Sequence, residues 1–197
     1  MPRTRDVEAQ REQLSAAVWA VLARDGLPGL TLRAVAERAG CTTGLVLHAF
    51  ADKRTLLRHA RELLHRRTGQ RADALEDAAE GSGQDPWETL RAVLHAALSL
   101  TEDEREEGRV WVGFLAAAVP DPELRAVHVA HHRAFLDRLE RLVGRCLPRS
   151  SAAGRTQLAV TLAAQVEGLN ALAAADPEVY TAGRQRAAVD RLLDGLR

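Results

Sequence analysis

Between Leu32 and Phe50 the chain carries residue types that can present a short helix to a nucleic acid. Counting Leu32 as first, Val35, Ala39, Cys41, Val46 and Ala49 are apolar at positions 4, 8, 10, 15 and 18, with Ala36 at position 5 and Gly40 at position 9. Two short helices that cross steeply need this pattern: a small residue for close approach, a glycine for the turn, and apolar positions for a miniature core. The second helix of such a pair projects its first residues into a DNA major groove. A different chemistry is suggested by His128, His131 and His132, an HxxHH run in which His128 and His132 share one helical face and can form two metal ligands. No third ligand is specified, although Glu123 and Asp137 are near in sequence, and the other reading is a solvated or pocket-edge face. Cys41 and Cys146 form no CxxC pair, and no nucleophile elbow, phosphate loop or HExxH is present. No catalytic residue, cofactor or metal site is therefore assigned, and the chain is not read as an enzyme.

Helices must position these residues. Leu14, Val18, Val21 and Leu22 predict a first helix from about Val7 to Asp25, ended by Gly26. Thr31 can cap a helix over Leu32–Ala39, with Gly40 just past its end, and Thr42 can cap a third reaching about Ala49. Asp52 opens a fourth, to about Ala79, and Gly81-Ser82-Gly83-Gln84 marks a boundary. Further starts lie at Asp85-Pro86, at Thr101 with its capping box, at Pro120-Asp121-Pro122-Glu123, and at Ser150-Ser151. Asp176-Pro177-Glu178 opens a last helix ending near Leu196. The result is an all-α chain of about nine helices with no convincing strand: residues 1–52 a helix-turn-helix domain, 53–80 a connecting helix, and 81–197 a second helical domain.

Composition agrees. Aromatic residues make up only 4% of the 197, so Leu, Ala and Val must build the core, which favours packed helices over strands. The formal net charge is zero, yet residues 1–71 hold 13 basic and 7 acidic residues while 72–197 hold 14 and 20. A basic first part beside an acidic second part suits nucleic-acid binding by the first alone. The charged N-terminus lacks a signal-peptide core and no purely apolar run reaches the length of a membrane span, so a cytoplasmic location with no membrane partner is expected.

From about Arg11 to Leu57 the chain resembles the DNA-binding domain of the TetR family of bacterial transcriptional regulators, through Gly26, Thr31, Ala36, Ala39-Gly40, Thr42, Gly44, Phe50, Lys53 and Leu56. The resemblance implies that Thr31 caps the second helix and donates to a phosphate, with Arg33 reaching backbone or groove beside it. It also implies that Thr42 and Thr43 start the recognition helix, that Gly44 permits close approach, that Leu45 touches a thymine methyl, and that Lys53 holds a phosphate. Two positions depart from the family: Leu47 stands where it usually has Tyr, and Ala49 where it has His or Tyr. His48 can replace one lost anchor, and Arg3, Arg5 and Arg11 can compensate from the N-terminal arm.

From Trp87 onward the chain is similar to the ligand-sensing, dimerising half of that family, and its Trp111–Phe114, Pro120–Leu124 and Glu167–Leu169 segments are similar to the regulators grouped around the betaine-pathway repressor. This implies a homodimer built on the last two helices, with close packing around Leu158, Leu162, Gln165, Leu169 and Leu172. It further implies a pocket for an unidentified small-molecule effector, with Trp87, His95, Trp111, Phe114, His128, Phe135, Gln165 and Asn170 as candidate lining residues, each of which can instead be core or seam. The expected function is a one-component regulator, a repressor that a small molecule releases from a palindromic double-stranded operator. A helical interaction protein with lost DNA binding, or a metal-dependent enzyme using the histidines, are the alternatives.

Overall fold

The computed structural model describes the backbone of residues 3–197, and the side chains of residue 10 and residues 12–197. The arm residues Arg3, Arg5 and Arg11 lie outside the described side chains. Among the described residues there are nine α-helices and no strand: α1 (Arg3–Gly29), α2 (Leu32–Ala39), α3 (Thr43–Ala49), α4 (Lys53–Ser82), α5 (Pro86–Ala96), α6 (Glu102–Ala118), α7 (Pro122–Cys146), α8 (Ala152–Ala175) and α9 (Ala182–Asp194).

Side-chain caps set most of these boundaries. Thr31 Oγ1 accepts from Ala34 N–H at 3.1 Å, Thr42 Oγ1 from Leu45 N–H at 3.3 Å, and Asp52 Oδ1 from Thr55 N–H at 2.8 Å. The Thr55 backbone N–H and hydroxyl together hold the Asp52 carboxyl below the usual carboxylate range. Thr101 and Glu104 form the reciprocal capping box, with Thr101 N–H donating to Glu104 at 2.8 Å and Glu104 N–H donating back at 3.3 Å. Gly26, at φ 64° and ψ −168°, breaks α1 where the sequence ends it, and the chain then makes one more turn through Pro28.

Two boundaries differ from the sequence reading. The Gly81-Ser82 segment continues α4, whose end comes only at Gly83 with φ 65°, because Gln84 N–H bonds back to Ala79 O at 3.1 Å. Asp176-Pro177-Glu178 makes a turn instead of opening α9: Asp176 accepts from Val179 N–H and from Tyr180 N–H, and Thr181 caps the helix at Arg184 N–H. The buried Gln185 amide holds that turn by donating to Tyr180 O at 2.9 Å and Ser99 O at 3.2 Å.

Packing divides the chain into two compact units, Met1–Leu64 with Arg109–His128, and His65–Gly108 with Val129–Arg197, so the cuts fall inside α4, α6 and α7. The first unit buries Leu14, Val18, Val21, Leu30, Val35, Val46 and Leu56 with Val110, Phe114 and Leu124. The second buries Leu90, Leu94, Leu139, Leu142, Leu162, Val166 and Leu193. Within it Arg138 pairs with Asp73, Arg141 with Glu76 at 3.1 Å, and Arg145 with Glu80 at 3.4 Å, all at a sequence offset of 65. A constant offset means that α7 runs parallel to α4 there. Among the described residues α8 alone is long and apolar enough to cross a membrane, and it buries Ala159, Leu162, Ala163, Val166, Leu169 and Ala173 along one stripe.

Cys146 is half-buried in the second unit, and burial pushes its thiol up to about 11. Since the thiolate is the reactive form, alkylation of Cys146 at pH 7.5 should be about a hundredfold slower than that of an ordinary thiol. Mass-spectrometric iodoacetamide time courses on folded and denatured chain will measure this.

Candidate nucleic-acid interface

The first unit builds the helix-turn-helix, although Ala49, read from the spacing as part of its miniature core, is exposed. Val35, Ala36 and Ala39 of α2 and Val46 of α3 are buried, and Gly40 turns the chain at φ 63° and ψ 34°. From α1, Gln13 Nε2 donates to Ala39 O at 2.7 Å, which holds the end of α2. Val46 is completely buried, and α3 has a period near 3.6, so Thr43, Gly44, Leu47 and His48 form the outward face. Leu45 is half-buried and Ala49 exposed. Thr31, Arg33, Thr42 and Lys53 are exposed as well, so eight of the nine proposed DNA contacts face solvent. From Cys41 to Ala51 there is no acidic residue, while the exposed Arg33, Arg38, Lys53 and Arg58 supply positive charge.

Other basic residues do not share one face. Arg61 is buried, and Arg67 lies 3.8 Å from Glu107 in the second unit. Arg54, next to Lys53, is the residue that sequence reasoning passed over. Its guanidinium pairs with Asp121 at 3.0 Å and Glu123 at 3.0 Å, and Asp121 in turn caps α7 through Glu123 and Leu124 N–H. Arg54, Ala117 and Pro120–Leu124 line an open cleft of about 540 Å³. No local pattern announces this contact, because its partners are remote in the chain.

The eight candidate effector residues divide between the units. Phe114 is buried and Trp111 partly buried in the first core, and His128 is half-buried in the same unit. In the second unit Trp87 and Phe135 pack on the core, with the Arg197 guanidinium 5.6 Å from the Trp87 ring centre. Asn170 has structural work: it accepts from Ser99 N–H at 2.8 Å and donates to Ala97 O at 2.8 Å. His95 lies 2.9 Å from Asp190, an α5–α9 contact that Arg91 shares, and Gln165 is half-buried on α8. Of the histidine run, His132 Nδ1 lies 3.0 Å from Glu167, and His131 stacks on His65 with ring centres 4.1 Å apart. Among the described residues no three His, Cys, Asp or Glu side chains are placed to hold a metal ion.

Residues 14–60 match the family described as bacterial regulatory proteins, tetR family, and residues 86–197 match the BetI-type transcriptional repressor, C-terminal. The HTH-type transcriptional regulator BetI of Burkholderia cenocepacia is 33% identical over 174 residues, covering 86% of this chain and 84% of that protein. A transcriptional regulator of Rhodococcus superposes with a TM-score of 0.82 at 28% identity, covering 93% of each chain. One from Saccharomonospora viridis, solved in complex with choline, has a TM-score of 0.81 at 17% identity over 95% of this chain and 96% of that one, and so shares the fold. With one match on the DNA-reading helices and another on the second helical region, the chain belongs to the TetR family of bacterial transcriptional regulators, with a BetI-type C-terminal region.

Proposed function

We propose that the chain works in the cytoplasm as a homodimeric, one-component repressor, which binds a palindromic operator and releases it when a small molecule occupies the region from residue 81 onward. The observation that carries the DNA reading is the outward face Thr43, Gly44, Leu47 and His48, backed by the buried Val46, free of acids from Cys41 to Ala51 and flanked by the exposed cations Arg33, Arg38, Lys53 and Arg58. Thr31, Arg33, Thr42 and Lys53 are the proposed phosphate and groove contacts beside it, and Leu45 the half-buried support. Dimerisation is supported by an outward stripe on α8, where Ala153, Gln157, Val160, Ala164 and Ala175 are exposed at helical spacing. Small residues in such a row allow a second copy of the helix to pack closely. Two recognition helices are also what successive major grooves demand. The choline complex of a protein of the same fold supports a small-molecule effector here, of undefined identity. The effector must bind the DNA-free conformation more tightly than the DNA-bound one, since equal affinity shifts nothing.

Selection from random duplexes by the purified full-length chain tests the proposal. A palindrome should emerge with half-sites about one helical turn apart, and its affinity should fall steeply with salt. Lys53→Ala should weaken binding to all sequences alike and lower the salt slope by about one per protomer. Recovery of no palindrome favours the second reading, a helical interaction protein, for which Leu47 and Ala49 in place of polar aromatic anchors are the supporting observation.

A further inference from the structure

We infer that Leu47 reads the 5-methyl group of a thymine at one position in each operator half-site. The inference rests on the operator-binding reading and adds to it the base feature that α3 recognises. Leu47 is 48% exposed although the residue before it, Val46, is fully buried in the core of its unit. Helical geometry therefore holds the Leu47 side chain on the outward face, one turn after Thr43 and next to His48. The neighbours differ in chemistry. Thr43 offers a hydroxyl, Gly44 no side chain, and His48 an imidazole, all able to face phosphates or base edges or to admit the backbone.

An isobutyl group has no such option. It can neither donate to a phosphate nor pair with a base edge, and it gains free energy only by covering apolar surface. In the major groove of B-DNA the thymine methyl group is the one projecting apolar group, where cytosine has only a C5–H, and the remaining recognition groups are hydrogen-bond donors and acceptors. Leu47 therefore favours an A·T pair, with thymine on the strand it faces, and penalises G·C by leaving the cytosine amine or the guanine O6 and N7 against hydrocarbon. Leu45 is the other leucine of this helix, but it is half-buried and supports the helix more than it projects from it.

The test uses the duplex selected by the full-length chain and alters DNA before protein. Each thymine in turn is replaced by deoxyuridine, which removes one methyl group and preserves every hydrogen bond. One symmetry-related thymine should show an affinity loss of about fourfold per half-site, the worth of one buried methylene-sized group. The same replacement should change the affinity of Leu47→Ala by less than twofold, and that variant should keep the wild-type melting temperature because the side chain is exposed. A selected palindrome with no methyl-sensitive thymine overturns the inference and leaves the operator reading standing. Methyl sensitivity that persists in Leu47→Ala also overturns it, since another side chain then makes the contact. Selection of no palindrome overturns the operator reading, and this inference with it.

Discussion

Gly40→Val should lower operator affinity more than tenfold, while Gly40→Asn stays within about threefold of the parent. Gly40 sits in the left-handed region at φ 63°, where an L side chain costs about 1–2 kcal/mol and a β-branched one more. An added Cβ would meet no atom within 4 Å, so crowding plays no part and the backbone alone decides the outcome. Asparagine tolerates the left-handed conformation, and valine does not. To relieve the strain, the valine variant must rotate the turn in which Gly40 N–H and Cys41 N–H bond back to Glu37 O and Ala36 O at 3.2 and 3.0 Å. That turn sets the crossing of α2 and α3, and misplacing a recognition helix by an ångström removes its contacts from register. Electrophoretic mobility shift on the selected duplex, with circular dichroism as a control for helix content, measures the effect. Equal affinities for the valine and parent proteins would refute the argument.

Glu107→Ala is expected to destabilise the second unit by about 2–3 kcal/mol. Glu107 is only 6% exposed, and both of its oxygens are engaged by Arg71, Oε1 at 2.9 Å, with Arg67 3.8 Å away. The Glu107 hydrogen bonds hold the Arg71 guanidinium more firmly protonated than usual. Removing one partner of a buried pair costs about 3–5 kcal/mol because the other charge is stranded. Arg71 retains 35% exposure, so water offsets part of that cost. At about 2–4 °C per kcal/mol for a chain of this size, the melting temperature should fall by roughly 5–10 °C at fixed protein concentration. Replacing the pair together, Glu107→Leu with Arg71→Met, should recover most of the loss, since an apolar pair strands no charge. A double variant no more stable than Glu107→Ala would show that the pair itself is needed.

The two cases differ in how far a reader of the sequence can see them. Gly40 is legible because its role is local: the apolar positions around it recur at fixed spacing, and Thr31 and Thr42 cap the helices on either side. The same locality made Asp52, Asp85 and the Thr101–Glu104 box visible, since a cap needs only three or four consecutive residues. Even the residues of the proposed DNA face are placed by period, once Val46 is taken as core. Glu107 is illegible for the opposite reason. In the sequence it is one acid in a run of charges, and its burial depends on Arg71 36 residues away. The Arg54 contact with Asp121 and Glu123, and the clamp of Asn170 on Ala97 and Ser99, have the same long-range origin.

Residue order alone thus determined the helix count, most of the caps, the helix-turn-helix and its basic character, because these arise from periodicity and hydrogen bonds within a turn or two. Tertiary structure decided which charged groups are solvated and which are locked in pairs, moved the start of α9 from Asp176 to Thr181, and gave residues 109–128 to the same compact unit as the DNA-reading helices. Burial and ion pairing depend on which helices meet, and among the nine helices of the described residues that is set by contacts across tens of residues, which no local pattern encodes.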